Sequence, residues 1–336
     1  MTNISTNPMT LADYAITAKE PLVSKVVMSL VDNGSIMARD IPFFDSEQLM
    51  AAGVRWEKGL PTVHWASLNE QPQSTTGVPT PYQEQAFIIR DNIDTDRRLV
   101  QDKNNIVDPR GVRIDAYLKS VAYDFNNKFL NNDHITGDTK SFLGLRYRLN
   151  NTIGCRAEQL IDAGGVDMSS SGMTADTANA LLEFVEQAMS YADMPNGSSS
   201  GRIYMNETML RRFRRGLRKM GTSGGLDITK DQFDRTIETY KGTPIYDIGR
   251  LSDQSTLIIP SVESAAGASS GGTYTSIYCV NYGPEHQYGW QFEPIKVLDL
   301  GLLNDGVNMR TNIDWAGGLM NDNLRSFSRV YDIKLS

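Results

Sequence analysis

The sequence predicts a mixed α+β protein in which a packed body carries long extensions. Three observations carry that reading. Residues 108 to 133, DPRGVRIDAYLKSVAYDFNNKFLNND, place Ile114, Leu118, Val121, Phe125 and Phe129 along one stripe of a single long helix. Residues 150 to 285 alternate helical and strand-like patterns. Residues 53 to 100 hold two strand-like runs around EQPQSTTGVPTP, a tip rich in Pro, Thr and Gly, and so predict a long two-stranded ribbon.

Length and composition bound the answer. The chain has 336 residues, enough for two or three domains, with 40% hydrophobic and 22% charged residues as in folded proteins. A net charge of -7 argues against a molecule built as a whole to coat a polyanion. The N-terminus, MTNISTNPMTLADYAITAKEPL, has no basic start followed by an apolar run, so no signal peptide is expected. No window offers the ~18 apolar residues of a membrane span, and no membrane partner is expected. Cys155 and Cys279 allow one long-range disulfide, but two buried thiols in a reducing cytoplasm are the favoured reading.

In chain order, TLADYAITAKEPLVSKVVMSLVDNGS reads as two short helices divided by Pro21 and ended at Asn33-Gly34, followed by the extended IPFF. VRWEKGLPTVHWASL alternates as the outgoing strand of the ribbon, and EQAFIIRDNIDTDRRLV returns. An isolated ribbon is marginal in water, so Trp56, His64, Trp65 and Phe87 need the parent domain or another subunit to pack on. Asp108 suits an N-cap and Pro109 the first turn of the long helix, a rod of roughly 35–40 Å. FLGLRYRL follows as a short turn. TADTANALLEFVEQAMSYAD is a helix capped by Thr174. RIYMN, TPIYDIG, STLIIPS and TSIYCVNY read as strands, SVESAAGASSGG as an exposed loop, and the C-terminal fifty residues as further β structure.

Catalytic signatures are sparse. The sequence holds no phosphate-loop motif, no H-E-x-x-H and no paired C-x-x-C, and His64, His134 and His286 lack ligand spacing. No cofactor or metal site is expected. Gly267-Ala268-Ser269-Ser270-Gly271 fits G-x-S-x-G formally, but a strand rather than a helix follows it. His286 and Asp305 also come in the wrong chain order, so a serine hydrolase using Ser269 is only a remote alternative. Asp94/Asp96 and Asp231/Asp234 read as solvated faces.

MLRRFRRGLRKM, residues 209 to 220, is the most charged short stretch. At 100° per residue Leu210, Phe213, Leu217 and Met220 form a narrow apolar stripe, and Arg211, Arg212, Arg214, Arg215, Arg218 and Lys219 fan over the other side. Asn206 is a candidate N-cap and Gly221 a stop. No aromatic residues interleave on the basic side, so a nucleic-acid contact would go to phosphates without sequence preference.

The order of arm, ribbon, long helix, α/β region and return to β resembles the HK97-fold major capsid protein of tailed bacteriophages. The stretches that carry the resemblance are LADYAITAKEPLVSKVV with ARDIPFF, VRWEKGLPTVHWASLNEQPQSTTG, DNIDTDRRLVQD with the helix after it, FLGLRYRL, RIYMNETMLRRF and YKGTPIYDIG. The resemblance implies an HK97-like capsid fold with an N-terminal arm (1–52) and an extended β-hairpin E-loop with the start of a peripheral domain (53–100). The peripheral domain with its long spine helix (101–149), an axial α/β domain (150–285) and a return to the peripheral domain (286–336) would follow. It implies no enzyme but a shell protein that self-assembles into pentamers and hexamers around packaged double-stranded DNA in a virion capsid, made and assembled in the host cytoplasm. The chain starts close to the arm, which implies a separate scaffolding protein or none; a portal protein is a further implied partner. Trp56, Lys58, His64, Trp65 and Glu70 would form the E-loop subunit interface. Lys58 is no basis for cross-linking, since partner residues for it cannot be placed. Arg211, Arg212, Arg215 and Arg218 would face a neighbouring axial domain or make non-specific contact with packaged DNA. The alternative within the same fold is an encapsulin-type nanocompartment shell.

Overall fold

The computed structural model describes residues 34–55, 59–75, 77–101, 109–135, 137–221, 226–230, 236–263 and 273–336. The two expected arm helices and the Asp108 cap lie outside those residues. The described chain begins at a short helix, α1 (Ile36–Arg39), and strand β1 (Phe43–Asp45). This end of the expected arm is built into the body: Ile36, Met37, Ala38 and Ile41 are fully buried, and β1 pairs in parallel with β11 (Gln287–Leu302).

Two sheets organise the body. The first is four-stranded, in the order β1-β11-β12-β4, where β4 is Phe87–Asp96 and β12 is Asn308–Asn321. Along it lies the long helix, α3 (Pro109–Asn131), preceded by a short helix, α2 (Arg97–Gln101). The predicted stripe is the packing face: Leu118, Phe125 and Phe129 are buried, and Ile114 and Val121 pack at its margin. Phe125 meets Phe142 at 5.1 Å and Trp315 at 6.3 Å between ring centres, and Phe43 approaches Trp315 edge-on at 5.9 Å. Helix α4 (Leu145–Asn150) is the expected short turn.

The second sheet has seven strands, ordered β5-β13-β10-β6-β9-β8-β7. These are β5 (Leu160–Asp162), β6 (Gly201–Met205), β7 (Asp227–Lys230), β8 (Thr236–Tyr240), β9 (Thr243–Asp247), β10 (Tyr274–Asn281) and β13 (Phe327–Lys334). Strand β10 is buried along its whole length because it separates two cores. Its side chains alternate between them, as the pleat requires: Tyr278 and Val280 join the core that includes α3, whereas Ile277 and Cys279 join the opposite one. Helices α5 (Ala175–Tyr191) and α6 (Glu207–Lys219) cover that opposite face. Both cysteines are buried free thiols, pushed up by burial to about 11 for Cys155 and about 12 for Cys279.

Three expectations are corrected. The ribbon is shorter than its pattern: among the described residues only β2 (Met50–Arg55) and β3 (Thr80–Gln85) pair, and residues 59–75 form no strand. The returning run divides at Ala86, after which β4 leaves the ribbon and pairs with β12. Residues downstream of Phe87 therefore find their ladder in the body, and Phe87 itself is buried against His134 and Phe142. STLIIPS is no strand; Asp253 accepts hydrogen bonds from the backbone of Ser255 and Thr256, both at 2.9 Å, and turns the chain back, leaving one isolated bridge between Arg250 and Leu257. Last, β13 does not stay with the sheet of β11 and β12 but pairs with β10 and β5.

A buried ionic clasp ties α1 to the seven-stranded sheet. The Asp40 carboxylate accepts from Arg39 Nη2 at 2.7 Å, Arg202 Nε at 2.9 Å and the Tyr204 hydroxyl at 2.8 Å. Burial pushes the Asp40 carboxyl up, but the two guanidiniums and the hydroxyl outweigh it and hold the group below its ordinary range.

Candidate assembly surfaces

The ribbon is anchored at its root and bare at its tip. At the root Arg55 is buried, donates from Nε to Asn321 O at 2.6 Å and lies 3.5 Å over the Tyr82 ring. Tyr82 in turn hydrogen-bonds Asp322, and Glu84 accepts from Arg148 at 2.8 Å. Gly53 makes room for this: a Cβ there would sit 2.6 Å from the Tyr82 ring. These root residues escaped sequence reasoning. Their signal is the polar strand pattern of TPYQEQ, which alternates half-buried and exposed residues.

Beyond the root the apolar side chains have nothing to cover them. Trp65 is 96% exposed, Leu68 95%, Val63 80% and Leu60 77%. Single exposed apolar residues are ordinary, but four on one extended segment mark an interaction surface. His64 is exposed beside them. Glu70 has a local task, since its Oε2 accepts from the Ser67 backbone at 2.8 Å and closes the turn around Asn69, whose φ is +69°. Trp56 and Lys58 lie outside the described residues.

Helix α6 is the second surface. Asn206 caps it, accepting from Met209 N at 2.7 Å, and its Nδ2 donates to Ile259 O at 3.1 Å and Thr275 Oγ1 at 2.9 Å. Gly221, with φ of +70°, ends it. Met209, Phe213, Gly216 and Leu217 are buried and Leu210 and Met220 half-buried, so the apolar face is broader than the predicted stripe. Two of the six cations have polar partners within the chain at 2.7 Å or less: Arg214 bonds Glu238 at 2.7 Å and Lys219 donates to Met173 O at 2.5 Å. The other four, Arg211, Arg212, Arg215 and Arg218, line one open hollow of about 420 Å³ with Thr208. Among the described residues Arg211 is the one of these four with an ion pair, to Glu207 at 3.6 Å, a carboxylate also bonded to Arg250 at 2.9 Å; Arg211 donates to Thr208 Oγ1 at 3.4 Å as well.

The residues of the catalytic alternative do not form a site. Ser269 lies outside the described residues. His286 precedes one end of the β11–β12 hairpin, and Asp305 lies in the turn at its other end, where it accepts from Val307 N at 2.9 Å and Asn308 N at 3.0 Å. Sixteen residues of strand separate the two, roughly 50 Å. Asp94 is held bidentately by Arg310, with both bonds at 2.7 Å, and Asp96 caps the Arg98 backbone at 2.8 Å.

Comparison with known proteins agrees with this architecture. Residues 20–173 match the family model of the major capsid protein GP7. The chain has the HK97-like capsid fold. No curated protein sequence matches it. Among solved structures, the holo-SrpI encapsulin complex from Synechococcus elongatus PCC 7942 aligns with a TM-score of 0.56 at 11% identity, over 88% of this chain and 85% of that one. The capsid of the native GTA particle gives 0.53 at 12% identity over 90% of each chain, and Microbacterium phage Oxtober96 gives 0.51 at 12% over 88% and 89%. Identities this low carry the fold alone, and the family match, over 154 of the 336 residues, adds a likeness to a major capsid protein.

Proposed function

We propose that copies of this chain assemble through their E-loops into pentamers and hexamers that close an icosahedral head around double-stranded DNA. The peripheral domain is the region of the four-stranded sheet and α3, and the axial domain is the region of the seven-stranded sheet with α5 and α6. The observation that carries the reading is the segment 59–75, anchored at its root yet holding Trp65, Leu68, Val63 and Leu60 in solvent. Burying them on a neighbour supplies a hydrophobic drive that a lone subunit forgoes, about 1.5–3 kcal/mol for each fully covered aliphatic side chain. The chain acts by assembly and not by catalysis. It is synthesised in the host cytoplasm and assembles there with a portal protein, on a separate scaffolding protein or on none.

Tryptophan emission tests this. Trp290 and Trp315 are buried within the subunit and Trp65 is exposed, so assembly shifts emission of the wild-type chain to shorter wavelength and a W65F variant shows a smaller shift. Equal shifts in the two proteins, or none during assembly, contradict an E-loop that packs on a neighbour. The encapsulin-like neighbour supports an alternative in which the shell holds protein cargo. Packaged nucleic acid in particles from infected cells decides for the phage head.

A further inference from the structure

Helix α6 has a counterpart of opposite charge beside it. Helices α5 and α6 share one core and touch so closely that a Cβ on Gly216 would lie 3.1 Å from Ala178 Cβ. The apolar side of α5 is Ala178, Leu181, Val185, Ala188 and Met189. Its outward side carries Asp176, Glu183 and Glu186, and its 17 residues include no lysine or arginine. Glu186 is bonded to Lys241 at 2.7 Å and to the Tyr240 hydroxyl at 2.7 Å. Asp176 and Glu183 are exposed, with no ion pair among the described residues. One face of the seven-stranded sheet thus presents two neighbouring helical ridges, one cationic and one anionic.

We infer that the arginine face of α6 docks on the acidic face of α5 in a second copy of this chain. The inference rests on the shell reading and names a contact within it. Charge complementarity selects the occupant. Four guanidiniums on one face repel one another unless carboxylates or phosphates come between them, and arginine offers paired donors suited to either. Packed helices lie about 8–10 Å apart, whereas the major groove of a DNA duplex alone is about 12 Å wide. A duplex laid on α6 would therefore also cross the carboxylates of α5. A second copy brings both signs at the same spacing, so each ridge can meet its opposite. The hollow formed by Arg211, Arg212, Arg215, Arg218 and Thr208 has room for the acidic side chains of such a copy. The contact orients one copy on another, as charged surfaces do, while the E-loop supplies the apolar area.

Reciprocal charge reversal tests the contact on the full-length chain, with assembly followed by sedimentation in the absence of nucleic acid. R211E/R215E/R218E and, separately, D176R/E183R should each raise the concentration needed for assembly about tenfold, as expected for two or three partly exposed ion pairs. Combining the two sets should restore assembly toward wild type. The two reversals lie on different helices, so circular dichroism and unfolding midpoints identify a variant that fails by misfolding, and the other still reports. Normal assembly of D176R/E183R beside failure of the α6 variant would overturn the inference, as would a combined variant no better than its parents. Normal empty shells from the α6 variant, with only DNA retention lost, would assign the face to phosphate and overturn it too. A wild-type chain that never assembles would contradict the shell reading itself, and this contact with it.

Discussion

Asp40 shows what a single residue contributes. Its carboxylate is fully buried and faces two guanidiniums and a tyrosine hydroxyl, so truncation leaves Arg39 and Arg202 without their counter-charge. D40A is expected to lower stability by about 3–5 kcal/mol, read from chemical denaturation at pH 7. The group is held below its usual range when folded, so its contribution is fully present above the unfolded carboxyl value of about 3.9. That contribution is lost as pH falls through the lower folded value, and D40A should show a shallower acid limb than wild type. Gly53 is the second test at this scale. Its missing side chain lets Tyr82 sit under Arg55, and G53A should cost about 1–3 kcal/mol and make the ribbon root more sensitive to protease. Neither role was legible in the sequence. Arg39 and Asp40 stand between the apolar Ile36–Ala38 and Ile41, a hint of a buried pair, but their partners are over 160 residues away and no local pattern announces them.

At the scale of elements the described helices were legible, as were β6, β9 and β10, but two other strand-like runs were not strands. Helices carry their signals locally: the stripe of α3, Thr174 accepting from Thr177 N at 3.1 Å before α5, and Asn206 and Gly221 bounding α6. A strand depends on a partner elsewhere in the chain. Residues 59–75 alternate as a strand should but meet no ladder, and LIIP is apolar because Ile258 and Ile259 plug the core and not because they pair. Asn206 offers a test, because the side chain that caps α6 also holds Ile259 O and Thr275 Oγ1. N206A should cost about 2–3 kcal/mol, more than a lone cap, by thermal or denaturant unfolding. The E-loop should behave in the opposite way. Replacing 59–75 by a short Gly/Ser linker removes no buried apolar residue, so the unfolding midpoint should move little while assembly is lost. A large fall in stability would show that the segment belongs to the subunit's own core.

For the whole molecule, the chemistry missing from the sequence and the surfaces left bare in the structure point the same way. A body with two cores is held by buried ionic and aromatic contacts; its most exposed apolar side chains lie on the segment 59–75, and a cluster of arginines lies on the outer face of α6. The long helix and the alternation of helix and strand after it were readable because each stretch has its own pattern. The pairing of β13 with β10 and the split between β3 and β4 were not, because sheet topology is decided by contacts between distant segments. The central claim is that this chain is a shell subunit whose exposed surfaces are completed by its own copies. Electron microscopy of the purified full-length chain, concentrated alone or with a candidate scaffolding protein, tests that claim most directly. The account predicts closed particles with fivefold and sixfold capsomers in which residues 59–75 lie across an adjacent subunit. A chain that remains a folded monomer at every concentration, with or without scaffold, would contradict it.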